Sequence, residues 1–282
     1  MENELEILKE LKEIKELIND LKKEIAIKDK KIEELKALVL DTKPAIDRNP
    51  EELSVLNSND PDLCYSYALK NPNGDIKAIS KKVIESNNLK YNHLFMKNIP
   101  GCLFDEHLQV ILNSKDPEYC YYAALLKLGR EKADLIRKII IDSKSVEYSY
   151  EFANDIRYIY DVEDDDKEYD FLDVTDLEQV IVDNLDIKYS YMFAKNVENA
   201  DIDILERLVL DMAGIADIET VFSFGVDIKG SNLNDCKEKI IELYNKASEK
   251  EKKEIIQVVD ASEKKKIKCL FRNSFGEKVV IE

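Results

Sequence analysis

Tryptophan is absent from this 282-residue chain, histidine occurs twice, and glycine and proline contribute only 7 and 6 residues. There is no Gly-x-Gly-x-x-Gly, no Walker loop, no Gly-x-Ser-x-Gly and no His-Glu-x-x-His, so the common dinucleotide, phosphate, acyl-transfer and zinc chemistries lack their usual residues. The five cysteines (Cys64, Cys102, Cys120, Cys236, Cys269) are odd in number and form no Cys-x-x-Cys pair. They read as reduced thiols of a cytoplasmic protein. No apolar run reaches membrane-spanning length, and no signal-peptide pattern occurs. Cations are outnumbered, 42 Lys and Arg against 59 Asp and Glu, for a net charge of -17. Phosphate backbones and anionic membranes are repelled by such a field, so neither direct nucleic-acid binding nor membrane binding is expected. An enzyme is not expected, and no catalytic residue, cofactor site or metal site is assigned.

What the chain does contain is a repeated helix. Aligning its copies on a small residue places Ala68, Met96, Ala124, Ala153, Ala194 and Gly225 in register, at spacings of 28, 28, 29, 41 and 31 residues. Leu63, Tyr91, Tyr119, Tyr148, Tyr189 and Thr220 stand five residues earlier. Tyr65, His93, Tyr121, Tyr150, Tyr191 and Phe222 stand three earlier, and Tyr67, Phe95, Ala123, Phe152, Phe193 and Phe224 one earlier. With Ile99, Ile156, Val197 and Ile228 three residues after, these positions cover roughly 200° of helix surface at 100° per residue. A helix with so wide an apolar arc is covered on two sides, as in a stack where each repeat touches only its neighbours. Cys64 and Cys120 share a position with Ser149 and Ser190, so small size explains them.

A second helix follows each first one, anchored at Val83, Ile111, Ile140, Ile181, Val209 and Ile240. Between the two helices recur Gly74, Gly101, Gly129, Asn199 and Gly230, which suit a left-handed C-cap. Asp60-Pro61 and Asp116-Pro117 read as N-caps followed by proline at the first helical position. His93 replaces a tyrosine of the repeat and His107 lies in a second-type helix, so both read as structural. Val55 lies 28 residues before Val83, so a lone second-type helix starts the array after Asn49-Pro50.

Residues 1–40 are of another kind, without aromatic residues, glycine or proline. A heptad seam places Leu11, Ile18, Ile25, Ile32 and Val39 at a, with Ile7, Ile14, Leu21, Lys28 and Leu35 at d. β-Branched residues at a favour a dimeric parallel coil, so Leu11, Ile14, Ile18, Leu21, Ile25, Lys28, Ile32 and Leu35 are assigned to oligomerisation. Trimeric and antiparallel packing stay open, as does an amphipathic helix folded back on the array. Residues 41–49 form a linker that Pro44 opens, 50–247 the repeat domain, and 248–282 a C-terminal cap rich in lysine and glutamate.

The long 41-residue interval carries an acidic insertion at 160–171. Measured as a calcium-binding EF-hand loop from Asp161, it has Asp166 where glycine is needed and Leu172 where a bidentate glutamate is needed. It reads instead as a solvated loop on a binding face, with Asp161, Glu163, Asp164, Asp165, Asp166 and Glu168 as partner-contacting residues.

The units resemble the helix pairs of HEAT and armadillo α-solenoids in a broad sense, although they are shorter. The segments Asp116-Pro117-Glu118-Tyr119-Cys120-Tyr121-Tyr122-Ala123 and Lys188-Tyr189-Ser190-Tyr191-Met192-Phe193-Ala194 look like repeats of uncharacterised proteins from low-GC bacteria, their phages and large DNA viruses. The resemblance covers about residues 50–245 and carries over no site. It implies an all-α fold, here a coiled-coil helix followed by an α-solenoid of about six two-helix repeats. The expected function is a non-enzymatic interaction scaffold that self-associates through residues 1–40 and binds a protein partner with a basic surface. The alternative is a phage or viral inhibitor that mimics nucleic acid and blocks a nuclease or defence complex in the host cytoplasm.

Overall fold

The computed structural model describes Lys28, Lys31, residues 49–161 and 173–261, and Phe275. Among these residues the chain is all-helical, with fifteen α-helices, one short 3-10 turn and no strand. It divides into two compact units, Met1–Asn88 with Asn98–Leu103, and Leu89–Lys97 with Phe104–Glu282.

The first unit contains α1 (Pro50–Asn57), α2 (Pro61–Lys70) and α3 (Ile76–Glu85), with α2 and α3 packed on each other and on α1. The second runs from α4 (Leu89–Asn98, less its last residue) and α5 (Phe104–Ser114) through two further pairs. These are α6 (Pro117–Ala124) with α7 (Arg130–Ser143), and α8 (Val146–Asn154), extended by α9 (Ile156–Ile159), with α10 (Thr175–Asp183). Then come α11 (Ile187–Asn196) with α12 (Ile202–Met212), α13 (Ile218–Asp227) with α14 (Leu233–Lys246), and α15 (Glu249–Ala261). Within this unit each first helix lies on its own second helix and on the next first helix, in the order α6, α8, α11, α13. The second helices α7, α10, α12 and α14 adjoin in the same order. Stacked pairs of this kind bury their apolar faces only against neighbours.

The burial pattern follows the sequence register. All six second-helix anchors, from Val83 to Ile240, are fully buried, as are Phe95, Phe152, Phe193 and Phe224, and Val55 of α1 is 2% exposed. The helix starts at Asp60 and Asp116 are capped as the sequence suggests, their carboxylates accepting from the amides of Asp62 and Tyr119 at 3.0 and 3.2 Å, and Asp186 caps another, accepting from the Tyr189 amide at 2.9 Å. The small position tightens to glycine at Gly225, where an added Cβ would stand 2.8 Å from Cys236 Cβ on α14. Cys64 and Cys120 are indeed buried spacers, their thiols pointing at the carbonyls of Val55 and Ile111, at 3.9 and 3.8 Å.

Three expectations need correction. Leu63 belongs to the aromatic stripe by register but is 42% exposed, because the helix preceding its pair, α1, is of the second type and among the described residues no earlier first helix covers it. Gly101, Gly129, Gly230 and Asn199 do take left-handed backbones, with φ of 76°, 84°, 101° and 64°, yet they lie in the turn after the C-cap, and Gly129 is itself the N-cap of α7. Gly74 is not left-handed at all. A Cβ there would approach the Asn71 carbonyl at 3.1 Å and the Tyr67 ring at 3.3 Å, so close packing is its reason for being glycine. The left-handed residue that joins one pair to the next is instead Asn87, Lys115, Lys144 and Leu185, at one repeat position with φ of 51° to 56°.

Two series of polar links tie consecutive pairs together. In the first, a residue two after the small position bonds the tyrosine three before it in the preceding copy. Asn98 Nδ2 donates to the Tyr65 hydroxyl at 2.8 Å and Asn196 Nδ2 to the Tyr150 hydroxyl at 2.8 Å. The Tyr121 and Tyr191 hydroxyls donate to Asp155 and Asp227 at 2.7 and 3.4 Å. In the second, a residue three before each second-helix anchor reaches the start of the next second helix. Glu52, Glu178 and Glu206, all buried, accept from the amides of Asp75, Asp201 and Asn232 at 3.4, 2.8 and 2.8 Å. Ser80 accepts from Leu103, and Arg137 donates to the Asp173 carbonyl and the Asp176 carboxylate.

Neither series has a member between the second and third pairs. His93 and Leu126 occupy the first positions and Leu108 the second, and His93 Nδ1 has no hydrogen-bond partner.

Burial raises the Glu178 carboxyl above its ordinary range, and the Asp201 amide partly opposes that shift. Glu178→Ala removes the acceptor and leaves the Asp201 amide without its partner, so urea unfolding is expected to show a loss of ~1–3 kcal/mol. Glu178→Gln keeps a carbonyl acceptor and is expected to retain most of the stability.

Candidate interaction surface

The first helices of the second unit carry side chains beyond those their packing needs. A connected run of rings crosses α4, α6 and α8. His93 lies 5.8 Å from Tyr122, Tyr119 and Tyr121 lie 6.0 and 5.8 Å from Tyr122, and Tyr121 lies 6.0 Å from Tyr148. It resumes with Tyr150 against Tyr189 at 5.7 Å and Tyr191 against Phe224 at 6.3 Å. Tyr119, Tyr122, Tyr148, Tyr189 and Tyr191 are only half-buried, so each has ring surface in the core and ring surface in water.

Carboxylates surround the middle of this run. Tyr122 donates to Glu118 Oε1 at 3.1 Å, while Glu147, Glu151 and Asp155 stand on or beside α8. Burial, then Glu118, Tyr122, Glu147 and Asp116, push the Tyr148 hydroxyl up to about 12, and burial with Asp155 and Glu147 raises the Glu151 carboxyl. The charged groups acting on Tyr148 and Glu151 are thus acidic. Lysines cover the rings elsewhere: Lys90 Nζ stands 5.3 Å from the Tyr91 ring centre, Lys188 5.2 Å from Tyr189 and Lys195 5.1 Å from Tyr191. Next to the run, Ala153, Ile156, Asn154, Asn196 and Asn199 line a cleft of mixed polarity in which Arg157 pairs with Glu198 at 3.4 Å.

Of the residues assigned to partner contact from the sequence, Asp161 is exposed, has a left-handed backbone and is ion-paired with Lys127, whose ammonium also stands 4.8 Å from the Tyr158 ring centre. Asp161 and Tyr160 are the described residues of the insertion. Tyr160 donates to Asp134 Oδ1 at 2.5 Å, and Arg137 donates to the Asp173 carbonyl and the Asp176 carboxylate. Glu163, Asp164, Asp165, Asp166 and Glu168 lie outside the described residues. So do Leu11, Ile14, Ile18, Leu21, Ile25, Ile32 and Leu35, whereas Lys28 is helical and exposed. Among the described residues no three His, Cys, Asp or Glu side chains are grouped to hold a metal ion, and no helix is long and apolar enough to cross a membrane.

The tyrosine run was visible in the sequence only as packing. Its half-exposure follows from which helix lies over which, and the link residues Asn98, Asp155, Asn196 and Asp227 carry no signal until they are aligned with the tyrosine of the preceding copy. No family model, no curated protein and no solved structure matches the chain.

Proposed function

We propose that the chain is a non-enzymatic interaction scaffold in which residues 1–40 self-associate, a dimer being favoured, and an α-solenoid of about six repeats captures a protein partner through an acidic surface. The observation that supports it is the run of half-buried tyrosines with Glu118, Glu147 and Glu151 around its centre. Tyrosine offers large, stiff and amphipathic contact area, and it is enriched where protein surfaces meet. In the second reading, a nucleic-acid mimic directed at a host nuclease, the carboxylates alone would carry binding, and replacing the tyrosines would be silent.

Self-association is tested by light scattering of the full chain and of residues 49–282. The full chain is expected at twice its monomer mass and the shortened one as a monomer that keeps the helical signal of the array, because the anchors from Val55 onward are buried and the helices that carry them pack on described neighbours. Equal monomeric masses would place residues 1–40 back on their own array and overturn the coil. Unfolding of the shortened chain would make those residues part of the core.

A further inference from the structure

The repeats contain their own description of a ligand. At the position five before the small residue, Tyr91 and Tyr189 each have a lysine immediately before them in sequence, and its ammonium sits over the ring at 5.3 and 5.2 Å. Such contacts gain from the negative face of the ring. In the two intervening copies the ring is kept and the lysine is exchanged for an acid, giving Glu118-Tyr119 and Glu147-Tyr148. No described cation stands over either ring, and both tyrosines are half-buried on adjoining helices α6 and α8.

We propose that Tyr119 and Tyr148 are paired seats for lysine or arginine side chains of a basic, extended peptide segment, with Glu118 and Glu147 supplying the counter-charge. The proposal rests on reading the array as a protein-binding surface and names the partner's chemistry. Two features select this occupant. The repeat positions on either side show a cation in this very place. The charged side chains that act most on the Tyr119 and Tyr148 hydroxyls, Asp116, Glu118 and Glu147, are acids and would repel an acidic or phosphorylated segment. Helices that pack directly lie about 8–10 Å apart, and an extended chain advances about 3.3 Å per residue. The segment that fits therefore carries a cation at about every third residue. Glu151 and Asp155 lie along the same helix beyond Tyr148 and would meet whatever follows the second cation.

The test uses the full chain and a twelve-residue peptide with arginine at every third position and serine and glycine between, against the same peptide with glutamine for arginine. Tyrosine emission reads binding directly, since the chain has 14 tyrosines and no tryptophan. The arginine peptide is expected to bind and the glutamine peptide not. Glu118→Lys with Glu147→Lys, which copies the arrangement at Tyr91 and Tyr189, should abolish binding and leave the circular dichroism unchanged. Tyr119→Leu with Tyr148→Leu should weaken it at least tenfold, whereas Asp142→Lys with Glu238→Lys, an equal charge change at exposed positions elsewhere, should weaken it less than threefold. If both lysine pairs weaken binding alike, the attraction is a diffuse field and the seats are overturned. Absence of any binding also overturns them. Self-association by light scattering is read on the same samples, and a dimer that fails to bind the peptide removes the seats while leaving the scaffold reading to its own test.

Discussion

Phe193→Ala is expected to lower the unfolding free energy by ~3–5 kcal/mol, the range for truncating a buried aromatic in a packed core. Phe193 is fully buried in α11, between the pair that precedes it and the pair that follows, and the corresponding Phe95, Phe152 and Phe224 are equally inaccessible. A stack permits little collapse around the missing ring, because the helices on both sides are held by their own anchors and by the links from Asn196 to Tyr150 and from Glu178 to Asp201. Met192→Ala on the same helix serves as the control. Its side chain is half-buried, so a clearly smaller loss is expected. Urea unfolding followed by circular dichroism measures both. A loss below ~1 kcal/mol at Phe193 is the size of an average substitution and would show that the ring is not a core residue.

The second large effect is a dependence of stability on pH that originates at one buried pair. His107 Nδ1 lies 2.7 Å from Asn92 Oδ1, both residues are fully buried, and His107 Nε2 has no hydrogen-bond partner. The Phe95 ring lies 5.2 Å away, and burial lowers the imidazole from its ordinary 6.5 to about 4. The unfolded chain therefore takes up this proton first. Stability from this source is intact above pH 6.5 and falls as the pH drops from 6.5 to about 4, with a full loss of ~3 kcal/mol at 1.36 kcal/mol per pKa unit. Below about pH 4 both states are protonated and this contribution no longer changes. Carboxylates add their own acid sensitivity, so the comparison must be with a chain that lacks only the pair. Asn92→Ser with His107→Leu inserts the residues found at the same positions of other copies, Ser149 and Ser190 for the first and Leu177 and Leu205 for the second. Between pH 7 and 4.5 the natural chain is expected to lose ~2–3 kcal/mol more than this double variant in urea. Parallel losses in the two chains would mean that the imidazole is protonated as readily inside as outside.

Anchors such as Val83, Ile140 and Ile240 could be found from the sequence because the hydrophobic pattern and the repeat agree, and each position is confirmed by five others. Asp60 and Asp116 are the same case at helix starts, where a short polar side chain before a proline has one obvious use. Glu178 and Glu206 could not be found that way. A glutamate in a helix is ordinarily a solvated residue, and only the approach of the next helix start turns it into a buried acceptor. Lys115, Lys144 and Leu185 escaped for the opposite reason. Their left-handed backbone is imposed by the two helices they connect, and nothing in a lysine or leucine announces it. The tyrosine face is intermediate. Its residues were named, but whether Tyr148 is core or surface depends on what covers its outer edge, which spacing does not reveal.

The absence of both link series between the second and third pairs has a mechanical consequence. In a chain of nearest-neighbour contacts, deformation gathers at the most compliant joint, and within the second unit the later joints, from α6 to α14, each carry at least one hydrogen bond of these series. Among the contacts that resist sliding here are the exposed ion pair of Lys132 with Asp105 at 2.6 Å, the Lys132 ammonium 6.0 Å from the Phe104 ring centre, and the His93 and Tyr122 rings. A load applied along the second unit is therefore expected to be relieved first as shear between α5 and α7. The seats at Tyr119 and Tyr148 sit in the first rows beyond that joint. An extended partner gripping α6 and α8 would thus engage only the linked rows beyond that joint.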